Sequence, residues 1–189
     1  ACKKFTGMLA TKKTLDCVER FYVEYTLNNG VRKAFSHLAA LEKKSTDFVA
    51  DCHYVSHGIG HAQLRVDGGD AAKSFAELSE NLYFKNVATC GNGYFHGVVE
   101  ELAKNTTDKK KLVTLLRPLC ETTRVAKSDC YHGVGHAAFI QLEYNMKDSL
   151  EVCDAISEDT FMNFSCYMGV FMEMSQDFNK SKLVDVVGD

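Results

Sequence analysis

Six side chains of this chain have the chemistry to grip a metal ion: His57, His61, His96, Glu100, His132 and His136. They come from three short stretches, "HGIGH" at 57–61, "HGVVE" at 96–100 and "HGVGH" at 132–136. In each stretch two potential ligands stand four residues apart. On an α-helix that offset turns the chain by about 400°, so both side chains leave one face about 40° apart. Two imidazoles so placed hold one ion in helical His-x3-His zinc sites. His53 extends the first stripe by one further turn.

Five imidazoles and one carboxylate exceed the four ligands of a tetrahedral zinc. They suit a dinuclear centre or one six-coordinate ion. Nitrogen with carboxylate inside helices ranks iron first as the metal cofactor, then copper, then zinc. The expected function is that of a metalloprotein, a non-haem metal-dependent oxidoreductase. It would act on a small-molecule substrate or dioxygen, with an electron-transfer partner. Glu100 reads as a ligand or as a catalytic base that takes a proton from bound substrate. Two alternatives fit the same residues. One is a zinc-dependent hydrolase, with Glu100 as base for a metal-bound water. The other is a disulfide-stapled helical-repeat module that binds a partner protein, its histidines serving as packing residues.

A fourth stretch, "MGVFM" at 168–172, aligns on the same glycine but carries Met168 and Met172 at the ligand positions. Glu173 aligns with Glu101, not Glu100. These methionines read as adaptable core filler. His37, alone in "FSHLAAL", reads as structural. No Gly-x-Ser-x-Gly nucleophile motif occurs. "VDGGDAAKS" at 66–74 lacks the spacing of a phosphate loop and predicts a turn with Asp70 at a helix start. "DKKK" at 108–111 predicts a solvated helix start.

These residues need elements to position them, and the pattern is helical. The chain has one proline, Pro118, and apolar residues recur at helical spacing in 15–27, 110–119 and 148–156. Helix-interior glycine costs about 1 kcal/mol relative to alanine. Glycines beside each of the five candidate histidines therefore predict close approach of a second backbone. The four stretches start 36 to 39 residues apart, each shortly after a cysteine. That period matches helix-hairpin arrays. The expectation is one all-α domain over 1–189, with an internal duplication of about 35–103 and 110–176, forming a bundle or short solenoid.

Eight cysteines without a Cys-x-x-Cys disfavour a thiolate zinc ribbon and predict four disulfides. Matching positions in the duplicated halves gives Cys52–Cys90 and Cys130–Cys166, then Cys120–Cys153, and leaves Cys2–Cys17. Disulfides imply an oxidising, extracytoplasmic compartment. Sequons at Asn105, Asn163 and Asn179 agree with it. The opening "ACKK" does not read as a signal peptide; a processed or trimmed chain would begin this way. A net charge of −3 gives no reason to expect nucleic acid or an anionic membrane as partner. No apolar run reaches the roughly 20 residues of a transmembrane segment.

Overall fold

A computed structural model describes residues 12–43, 46–79, 88–124 and 126–176. Among these residues every regular element is a helix, so the all-α expectation holds. None of the helices is long and apolar enough to cross a membrane. The chain forms two compact units, residues 1–102 and 103–189.

The first unit contains α1 (Lys12–Asn29), α2 (Val31–Glu42), α3 (Thr46–Val66), α4 (Ala71–Ser79) and α5 (Ala88–Ala103). Helix α3 is its centre. Helices α1 and α2 pack against it on one side, and α5 crosses it on another. The α3–α5 crossing is a backbone-to-backbone contact. A β-carbon at Gly60 would overlap the carbonyl of Tyr94, and one at Gly97 would overlap the carbonyl of His57. Steric overlap of that kind outweighs the roughly 1 kcal/mol that alanine would return as helix propensity. Tyr22, Phe35, Leu38, Val55, Ile59, Tyr94 and Val98 are buried around the crossing. The Tyr94 hydroxyl donates to the Ser74 carbonyl at 2.7 Å, which satisfies its buried polar end.

Turn and cap chemistry follow the sequence. Gly68 and Gly69 take positive φ of 66° and 89° between α3 and α4. Asp70 then accepts from the Lys73 amide at 3.0 Å and starts α4. The Cys52–Cys90 bridge ties α3 to α5, as the spacing predicts. Cys17 is also disulfide-bonded. The expected Cys2–Cys17 bridge involves Cys2, which lies outside the described residues.

The second unit contains α6 (Lys109–Thr122), α7 (Lys127–Gln141), α8 (Met146–Ile156) and α9 (Thr160–Gln176). Its centre is the α7–α9 crossing, built in the same way. A β-carbon at Gly135 would overlap the Cys166 carbonyl, and one at Gly169 would overlap the His132 carbonyl. The turn into α8 also matches the one into α4. Glu143 and Tyr144 take positive φ of 55° and 65° where the first unit has two glycines. The Tyr144 amide reaches the Phe139 carbonyl at 2.8 Å, as Gly69 reaches Leu64 at 2.9 Å. Asn145 caps α8 through the Asp148 amide at 3.0 Å, and Asp108 caps α6 through the Lys111 amide at 2.8 Å.

The second unit departs from two of the expected bridges. Cys120 pairs with Cys130 and Cys153 pairs with Cys166. The expected Cys130–Cys166 and Cys120–Cys153 do not form. Cys130 stands two residues before His132, whereas Cys52 stands five before His57. The difference rotates Cys130 off the face that crosses α9 and toward α6. Each bridge of the second unit therefore joins sequence-adjacent helices. Of the sequons, Asn105 is exposed in the α5–α6 turn, Asn163 is half-buried within α9, and Asn179 lies outside the described residues.

Candidate metal centre

In the first unit, the helical register of α3 carries His53 and His57 to the side crossed by α5, which supplies His96. Each of the three imidazoles offers a ligand nitrogen, and these nitrogens lie within 4.8 Å of one another. The ring centroids of His53 and His96 are 4.9 Å apart; those of His57 are 5.4 Å from each. His57 and His96 are each 2% exposed, and His53 is half-buried. Nitrogens bound to one ion at about 2.0–2.1 Å stand roughly 3.3 Å apart. Small ring rotations would close this set around a cation. The glycine crossing makes the site possible, because Gly97 sits against the His57 backbone and brings the two helix faces within imidazole reach.

Behind the three rings runs a chain of charge. The Nδ1 of His57 stands 3.0 Å from Glu100 Oε1, within ion-pair distance. That contact places the carboxylate behind the ring and leaves Nε2 on the side of the other two imidazoles, the usual arrangement of a metal-binding histidine backed by a carboxylate. The other Glu100 oxygen lies 2.9 Å from His61 Nε2, and His61 Nδ1 lies 3.2 Å from Glu19 Oε1 on α1. Both nitrogens of His61 therefore face acceptor-only carboxylates, which requires a proton on each. Burial works against that charge, but hydrogen bonds with Glu100 and Glu19 outweigh it and raise the His61 pKa to about 9. For Glu100, burial pushes upward, and the charges and hydrogen bonds of His57 and His61 push further downward; its pKa falls well below 4.5. One turn onward, Arg65 grips Glu101 through two 2.8 Å hydrogen bonds and locks α3 to α5.

The second unit holds a smaller group. His132 and His136 stand one turn apart on α7, their rings tilted and their centroids 5.0 Å apart. His136 is fully buried, and its Nδ1 lies 2.8 Å from Glu173 Oε2 on α9. At the places that match His53 and His96, this unit has Ser128 and Met168. No set of three imidazoles forms among the described residues of this unit alone.

Of the six residues singled out in the sequence, the structure joins His57 with His96, Glu100 with His57 and His61, and His132 with His136. His53 completes the three-ring cluster, and its signal was visible as one more turn of the same stripe. Glu19 had no local signal, because its partner lies on another helix. Glu173 was displaced by one position from the alignment that would have matched it to Glu100. His37 is structural as expected: it is hydrogen-bonded to the Tyr22 hydroxyl at 2.9 Å and stacked on Tyr25. The described clusters of buried His and Glu are able to hold a metal ion. No protein-family model, curated protein or solved structure matches this chain.

Proposed function

We propose that the first unit binds one transition-metal ion through His53, His57 and His96, and that the protein is a metal-dependent oxidoreductase acting on a small molecule or dioxygen. The observation that carries this reading is the convergence of three imidazoles from two helices, one of them backed by a buried carboxylate. Three neutral nitrogens leave at least one coordination position for substrate. They favour copper, with iron and zinc behind it, because Glu100 is engaged by His57 and His61 and stands outside the three-ring cluster. The bound ion would supply electron transfer at its open position.

The rest is the work of the chain itself. Glu100 fixes the ring orientation of His57. His57 and, after it, His61 keep the carboxylate of Glu100 ionised while buried. The glycine crossing holds the α3 and α5 backbones in contact beside the site. His53, half-buried, is the ligand on the solvent side. The hydrolytic alternative loses ground on one point: both oxygens of Glu100 stand within 3.0 Å of imidazole nitrogens, which weakens it as a base. The disulfides support an oxidising, extracytoplasmic setting. The matched crossings and turns of the two units support a tandem duplication over about 35–103 and 110–176.

The test is elemental analysis of protein purified without chelator or affinity tag, with absorption and paramagnetic resonance spectra. One copper or iron per chain is expected. A chain that takes up no metal after reconstitution with copper, iron or zinc ends the reading.

A further inference from the structure

In the second unit, α9 presents an uncovered apolar face. Phe161 is 61% exposed, Phe164 55%, Met168 43% and Phe171 45%. They stand at i, i+3, i+7 and i+10, the spacing of a coiled-coil seam, and so form one stripe about 15 Å long. The helix carries a single charged side chain, Glu173, and that one is buried against His136. Thr160, Ser165, Met172 and Ser175 flank the stripe, and at its edge the Tyr167 hydroxyl donates to Asp154 of α8. A water-facing helix normally carries charge on its outer side. This one carries none.

The stripe is also palindromic: its 3-4-3 spacing reads the same in both directions. A two-fold axis perpendicular to α9, beside Cys166, would set Phe161 against Phe171 of a second copy and Phe164 against Met168 of that copy. Both are favourable pairs, aromatic on aromatic and thioether on aromatic. A self-complementary patch is what an isologous dimer interface requires. The absence of charge points the same way. Two copies of an uncharged face meet without like-charge repulsion, whereas an acidic or basic partner would find nothing complementary. We propose that α9 is a self-docking face on which two copies of this chain pair antiparallel. The four side chains offer on the order of 400 Å² per copy. A pair thus buries on the order of 800 Å², less than the roughly 1,200–2,000 Å² of stable complexes. The dimer is therefore weak, with a dissociation constant in the micromolar range or above.

Sedimentation analysis of the full chain from roughly 1 to 200 µM should show monomer giving way to dimer. Phe164→Glu with Phe171→Glu should weaken the dimer at least about tenfold, with helicity and metal content unchanged. Phe21→Glu, at an exposed position of α1, should leave it intact. If the glutamate pair fails to fold, Phe164→Ser with Phe171→Ser takes its place. A chain that stays monomeric throughout overturns the proposal, as does a dimer that survives the α9 substitutions. So does a dimer that appears only when the chain is cut after Gln176, since its own C-terminal segment would then be the occupant.

Discussion

Glu100 on α5 stands with Oε1 3.0 Å from the Nδ1 of His57 on α3, across a helix crossing closed by glycine. That contact makes Glu100 an orienting group for a metal-binding ring. Glu100→Gln should therefore weaken metal affinity by about 10–100-fold while the fold persists. Competition titration against a chelator of known affinity measures it; an unchanged affinity would remove Glu100 from the site.

Metal stoichiometry separates the ligands from their neighbours. His53→Ala, His57→Ala and His96→Ala should each abolish stoichiometric binding. His61→Ala should weaken binding without abolishing it, since a ring held between two carboxylates is protonated and has no lone pair for a metal. His37→Ala should leave metal content unchanged. Retention of full metal by the His53→Ala protein would overturn the three-imidazole assignment.

The His61 contacts also set a pH window for the metal-free protein. Its pKa is raised to about 9 in the fold from an ordinary 6.5, so its contribution to stability is complete below 6.5 and is lost as pH rises through 9. The Glu100 pKa is lowered from 4.5, so its contribution is complete above 4.5 and is lost only on acidification below that. Melting temperature should therefore be highest between about 4.5 and 6.5 from these groups, and fall toward pH 9. His61→Gln should flatten the alkaline limb. A limb of the same steepness in that variant would assign it to other groups.

Glycine at the crossings should be worth more than its propensity cost. Gly60→Ala and Gly135→Ala are expected to destabilise by about 1–3 kcal/mol, although alanine favours the helix by about 1 kcal/mol. Gly68→Ala, at φ of 66°, should cost about 1–2 kcal/mol for a different reason, backbone strain. Urea midpoints at constant slope measure all three. A gain in stability at Gly60 would mean that α3 and α5 do not touch there.

Peptide mapping without reduction should recover Cys52–Cys90, Cys120–Cys130 and Cys153–Cys166. Removing the Cys120–Cys130 bridge as a serine pair should cost about 2–3 kcal/mol, because it closes a short loop. Recovery of Cys130–Cys166 instead would reverse the packing of α7 given above.

The local terms of this fold are legible residue by residue along the chain. Scarce proline and helical periodicity determined the helices. Asp70 announced the start of α4, "DKKK" that of α6, and Gly68–Gly69 their turn. The i, i+4 spacing put His53, His57 and His61 on one face of α3, and glycine beside the ligands announced a close helix neighbour. What the spacing could not decide was which histidine meets which partner. A helix face subtends a wide arc, and only the crossing with α5 decides that His53 and His57 turn toward His96 while His61 turns toward Glu100 and Glu19. Glu19 was invisible because its contact with His61 joins α1 to α3, and no short-range period encodes it. The cysteines failed for the same reason. Matching Cys130 to Cys52 ignored a rotation of α7 about its own axis, and disulfide partners depend on where Cβ vectors point once helices pack. Period and composition are properties of one helix at a time. Ligand sets and bridges are properties of pairs of helices, and those pairs form only when the core does.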